Sequence, residues 1–126
     1  MINHTAHKGI GIDIIEIARI EQAISRWQTS FLKRVYTSAE VERYHNVGSL
    51  AARFAAKEAV MKALGTGTRG LHWKDIEILS DNDGAPFVQL YGKAHEKSQE
   101  AGIRDISVSL SHSREYATAI VMGNVI

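Results

Sequence analysis

The stretch RFAAKEAVMKALGTG, Arg53 to Gly67, decides how this chain folds. At about 100° per residue, Phe54, Ala55, Ala56, Ala59, Val60, Met61, Ala63 and Leu64 spread around most of a helical wheel, which predicts a buried or nearly buried helix. The helix is read from about Leu50 to Leu64, with Gly65 in the C-cap position where a left-handed backbone ends it. Its charges form two stripes, Arg53 with Lys57 and Glu58 with Lys62, each pair four residues apart on one face. A Glu-to-Lys pair at that spacing can be a solubilising surface ion pair worth about 0.3–0.5 kcal/mol. Alternatively, this carboxylate and ammonium line a cleft opened by alanines.

Outward from this helix, GIGIDII alternates as a strand, with Ile10, Ile12 and Ile14 on one face and Gly9, Gly11 and Asp13 on the other. Ile17, Ile20, Ile24 and Trp27 then recur at helical spacing, leaving Glu16, Arg19 and Arg26 off the apolar stripe. FLKRVY continues in helical turns, and Thr37 followed by Glu40 is a capping box that opens a short helix ending near HNVGS. DIEILS and PFVQLY are two strands joined by the turn DNDGA, and GKAHEKSQEAG is a short helix. DISVSLSH and YATAIVMG pair around SREY. The expected class is α+β, one domain over residues 1–126, with a largely antiparallel sheet packed with helices and one long central helix.

At 126 residues, 44 % hydrophobic and 23 % charged, the composition is that of one globular domain rather than a disordered or fibrous chain. Lys and Arg number 15 against 14 acidic residues, a formal charge of +1 that gives no global attraction to nucleic acid or anionic membrane. Any acidic partner must meet a local basic patch. Without cysteine the chain has no disulfide, no zinc–thiolate site and no thiol nucleophile. MINHTAHKG lacks the apolar run of a signal peptide, and no segment has the apolar length of a membrane span, so the expectation is cytoplasmic.

The candidate chemistry sits in Asp13 beside its glycines, Glu58 and Lys62 on the tight helix, and the Gly65-Thr66-Gly67 turn beyond it. Two carboxylates suit a hard cation such as Mg²⁺, whose remaining ligands are water and phosphate oxygens. Lys62 and backbone N–H groups suit the phosphates themselves. Asp13 can instead cap the helix that follows its strand. His112, at the end of ISVSLSH, can be a structural histidine or part of a site, while Ser109 and Ser111 read as that strand's polar face. His4 and His7 are incidental to an N-terminal tail. GIGIDI lacks the third glycine of a dinucleotide fingerprint, GTGTRG lacks the Gly-Lys-Ser/Thr of a P-loop, and DNDGAP lacks the ligands of a calcium loop. No G-x-S-x-G elbow accompanies His112.

Taken together, IGIDI (Ile10 to Ile14) and FAAKEAVMKA (Phe54 to Ala63) resemble the two signature motifs of the 4'-phosphopantetheinyl transferase superfamily. The likeness extends through TSAE, LGTG, DIEI, the hairpin before PF, and VSLSHSREYATA, and it points to the small holo-acyl-carrier-protein synthase branch and its fold. It implies transfer of the phosphopantetheine arm of coenzyme A to a serine of apo acyl carrier protein in fatty acid biosynthesis, releasing adenosine 3',5'-bisphosphate. It also implies Mg²⁺ dependence and a homotrimer with coenzyme A sites between subunits. Carrier domains of polyketide or peptide synthesis are the alternative acceptors, and a non-catalytic coenzyme A binding module is the alternative class.

By the same resemblance, Asp13 and Glu58 match metal ligands, Glu58 is the base for the carrier serine directly or through a metal-bound water, and Lys62 meets the leaving bisphosphate. Arg53, Lys57, Gly65, Thr66, Gly67, Pro86, Ser111 and His112 are the expected coenzyme A contacts. Arg19, with Arg26 as a second contact, is expected to dock the acidic recognition helix of the carrier protein.

Overall fold

A computed structural model of the chain describes residues 9–67 and 70–125; His4 and His7 lie outside the described residues. The order of elements is β1 (Ile10–Glu16), α1 (Ile17–Val35), α2 (Ser38–Arg43), α3 (Val47–Leu64), a 3₁₀ turn (Trp73–Asp75), β2 (Ile76–Ser80), β3 (Pro86–Leu90), α4 (Gly92–Glu100), β4 (Ile103–His112) and β5 (Tyr116–Val125). The strands form two antiparallel sheets rather than one, β1-β5-β4 and β2-β3. Among the described residues no helix is long and apolar enough to cross a membrane.

The central helix is α3, which packs against β1, β5, β4, β2 and α1. It starts at Val47, three residues before the sequence reading, because the Asn46 side chain caps it by accepting from the N–H groups of Gly48 and Ser49. Asn ahead of Val-Gly-Ser is a cap signal that a wheel of apolar residues passes over. Its other end stops at Gly65 with φ of 76°, as expected. The Thr37–Glu40 capping box of α2 is formed on both sides. Within α1 the helix breaks at Gln28, whose φ of 47° is left-handed.

Alternation in β1 is real, but the isoleucines are on the outside. Ile10, Ile12 and Ile14 are exposed, the latter two at 61 % and 65 %, while Gly9 and Gly11 press against α3. A Cβ at Gly11 would lie 1.9 Å from the carbonyl oxygen of Ala59, and the Gly9 N–H donates to the Ala63 carbonyl at 2.9 Å. The missing side chains let strand and helix backbones touch, which sets the distance between Asp13 and the Glu58–Lys62 face. Gly11→Ala is therefore expected to destabilise the fold by about 3 kcal/mol, because the clash is with backbone that cannot rotate away. Urea unfolding would measure it, and a loss under ~1 kcal/mol would mean that β1 can lift off α3 easily.

Candidate active site

Across the three-stranded sheet, Asp13 stands in a row with Ala119 and Leu110, on the face turned to α3. Its side chain is only 12 % exposed, and Oδ1 accepts from Lys62 Nζ at 3.0 Å. Lys62 also donates to the carbonyl of Ile12 at 2.9 Å. Asp13 does not cap α1: the N-cap residue is Glu16, with no side-chain cap bond. Nor do Glu58 and Lys62 form the i,i+4 ion pair considered from spacing, since the ammonium reaches across to β1 instead.

Glu58 lies half-buried beside this pair. Burial pushes its carboxyl above the usual carboxylate range, the negative charge of Asp13 pushes the same way, and Lys62 and Arg19 pull it back in part. Arg19, exposed on α1, is therefore near enough to act on the charge of Glu58. Asp13, Glu58 and Lys62 are thus brought together as expected, with Arg19 nearby.

The predicted coenzyme A contacts separate into groups. Arg53, Pro86 and His112 line one cleft of about 280 Å³, together with Ser49 and Ser80. The His112 imidazole sits about 3.1 Å from where a Gly48 side chain would begin, over the N-terminal turn of α3, where the helix dipole favours an anion. Arg53, 5 % exposed, is stacked at 3.4 Å over the ring of Tyr44 and donates to Ile78 O, Ser49 O and Ser80 Oγ. Three donated hydrogen bonds fix the guanidinium at the wall of this cleft. A larger cleft of about 580 Å³, between β3, α4 and the start of β4, contains none of the predicted residues.

Two expectations need correction. Lys57 is fully buried and pairs with the equally buried Glu40 at 2.8 Å, while also donating to the carbonyls of Trp73 and Ile76. It has no surface to offer coenzyme A. The carboxylate of Glu40 receives Lys57 together with the backbone N–H groups of Thr37 and Ile78, so this pair ties α2, α3 and β2 together. Ser111 pairs with Thr118 on the outward face of the sheet, whereas His112, next along the strand, pairs with Ala117 on the inward face. The two do not enter one pocket.

Gly65, Thr66 and Gly67 continue from the Lys62 end of α3, with Gly65 and Gly67 in left-handed conformations and open space around them. Arg26 lies over the exposed ring of Trp27 on α1, at 5.1 Å. Among the described residues no group of three or more His, Asp or Glu side chains gathers into a metal cluster. The fit of Asp13 and Glu58 to a hard cation rests on the donor set: two carboxylates whose mutual repulsion a positive ion would relieve.

The chain has counterparts among known proteins in sequence and in fold. The chain is 49 % identical to the holo-[acyl-carrier-protein] synthase of Herpetosiphon aurantiacus, across 90 % of this chain and 95 % of that protein. It is 44 % identical to the enzyme of the same name from Halothermothrix orenii, over 92 % of this chain and 96 % of the other. Its fold is similar to the crystal structure of Helicobacter pylori holo-[acyl-carrier-protein] synthase in complex with coenzyme A, at a TM-score of 0.82 and 38 % identity, covering 91 % of this chain and 99 % of that one. The family model of the 4'-phosphopantetheinyl transferase superfamily matches residues 9–121, a span that holds β1 with Asp13, α3 with Glu58 and Lys62, and the His112 cleft. By motif, fold and near-complete coverage, the chain belongs to the 4'-phosphopantetheinyl transferase superfamily.

Proposed function

We propose that this protein moves the phosphopantetheine arm of coenzyme A onto a serine of apo acyl carrier protein, releasing adenosine 3',5'-bisphosphate, in the cytoplasm and in the service of fatty acid biosynthesis. The observation that carries this reading is the convergence of Asp13, Glu58 and Lys62 from β1 and α3 in a chain of this family.

The residues divide the reaction between them. A serine hydroxyl is a weak nucleophile until its proton is taken, and in this reading Glu58, half-buried beside Asp13, takes it directly or through a water. The freed oxygen attacks the β-phosphorus of the coenzyme A diphosphate, a new P–O bond forms, and the bond to the bisphosphate oxygen breaks. Lys62, 53 % exposed at its side chain and on a flexible stem, hydrogen-bonds to that leaving phosphate and neutralises its charge. Asp13 and Glu58 would hold Mg²⁺, which supplies charge neutralisation to the diphosphate oxygens. Arg53, His112 and Pro86 form the cleft for the nucleotide end, with the N-terminus of α3 adding to its affinity for phosphate.

Helical geometry bears on assembly. Glu58 is five residues beyond Arg53, about 140° around α3, and Ser49 is about 180° from Glu58. The nucleotide cleft and the acid–base face of one chain therefore look away from each other. One coenzyme A can use both kinds of site if it lies between two subunits. The outward sheet face, with Ile10, Ile12, Ile14, Tyr116, Ile120 and Met122 exposed, is an apolar surface of the kind that subunits cover, and supports the homotrimer.

The direct test is to incubate the protein with apo acyl carrier protein, coenzyme A and Mg²⁺ and weigh the carrier. A mass gain of one phosphopantetheinyl group is expected, and no gain across fatty-acid, polyketide and peptide carriers would refute the reading. Carrier docking at α1 has its own signature. Arg19→Glu is expected to raise KM for the carrier about tenfold or more while leaving KM for coenzyme A nearly unchanged, since it reverses a charge on the docking face. Equal loss for both substrates would point to a damaged fold or assembly instead.

A further inference from the structure

Lys62 has an anionic partner within the chain itself. Its ammonium turns away from Glu58, one turn back on its own helix, and rests on β1 between Asp13 Oδ1 at 3.0 Å and the Ile12 carbonyl at 2.9 Å. Among the described residues Glu58 makes no ion pair, so of the two carboxylates one is open and the other is held by an ammonium. A divalent cation that takes both must settle beside that positive charge or displace it. The lysine can be displaced: its side chain is 53 % exposed and its stem reaches solvent.

We infer that Lys62 is a resident counter-ion of Asp13 that competes with the divalent cation for this carboxylate, so that the cation gains full hold of the site only when a phosphate draws the ammonium away. The inference rests on the reading of Asp13 and Glu58 as the cation's ligands. Its physical basis is that a carboxylate shared between an ammonium and a divalent ion brings two like charges within a few ångströms. The Ile12 carbonyl gives the lysine a second, uncharged partner on β1. Cation and diphosphate then enter as a coupled pair: the phosphate takes the lysine, and the lysine's departure completes the cation site.

The test is titration of the full chain with Mn²⁺ alone, without coenzyme A, following free Mn²⁺ by electron paramagnetic resonance. Lys62→Met and Lys62→Gln are expected to bind Mn²⁺ about fivefold more tightly than the parent, which corresponds to ~1 kcal/mol for loss of a partly exposed charge contact. Arg19→Gln removes a positive charge near Glu58 without touching Asp13, and its effect is expected to be smaller. Unchanged or weaker binding in both Lys62 variants, or an equal gain in Arg19→Gln, overturns the inference. Asp13→Asn and Glu58→Gln separate it from the reading beneath it. If they abolish binding while the Lys62 variants do not tighten it, only the competition is wrong; if they leave binding intact, the cation site itself is wrong. Circular dichroism of each variant confirms that a folded protein is being compared.

Discussion

Glu58→Gln is expected to leave a folded protein that turns over about 10³-fold more slowly, within the range that a positioned general base contributes. The amide keeps the size and one oxygen of the side chain but cannot accept the serine proton. In the metal-free parent the Glu58 carboxyl should titrate above the ordinary carboxylate range, raised by burial and by Asp13, and that step should be absent from the variant. Stability should move the other way. A carboxyl whose folded-state pKa lies above its unfolded value binds more protons in the fold, so stability falls as pH rises from the unfolded value through the folded one. At neutral pH the ionised Glu58 thus opposes folding, and Glu58→Gln should melt no lower than the parent. Turnover assays, carboxyl NMR titration of the metal-free protein and thermal melts check these outcomes. Unchanged turnover would remove Glu58 from the chemistry, and a large fall in melting temperature would make the lost activity a folding defect.

The same carboxylate shows what a sequence can and cannot disclose. Its place on a tight helix was readable, because small and apolar residues spread around most of the wheel and require close neighbours. The capping box at Thr37, the hairpin turn at DNDGA and the terminator at Gly65 were readable too, since each follows from local backbone chemistry. Partnership was not. Lys62 passes over Glu58 for Asp13, 49 positions away in the chain, because two glycines let β1 come close enough to be reached. Alternation in β1 divided isoleucines from glycines but carried no mark of which face was inward. The usual rule puts the larger apolar residues inside, and here backbone contact with α3 reverses it.

Lys57 is the sharpest instance. On the wheel it shares a stripe with Arg53, and the family likeness lent that stripe to the ligand, yet the fold buries both and gives only Arg53 a place in a cleft. Lys57→Met is expected to destabilise the protein by about 3–5 kcal/mol, because it leaves Glu40 as an unpaired charge in the interior. Burial already pulls the Lys57 ammonium below its usual range, and Glu40 only partly restores it. The pair is costly to keep charged and costlier to break. The double variant Lys57→Met with Glu40→Gln should recover part of the loss, since a neutral amide is easier to bury than a lone carboxylate. Recovery should be incomplete, because the carboxylate also receives the N–H groups of Thr37 and Ile78, a geometry an amide oxygen satisfies only once. Urea unfolding of the two single variants and the double variant gives the coupling directly. Where enough Lys57→Met remains folded, its KM for coenzyme A should match the parent's, as befits a residue that holds α2, α3 and β2 together without reaching the substrate. A single-variant loss below ~1 kcal/mol, or a KM for coenzyme A that rises with fold intact, would return Lys57 to the binding surface.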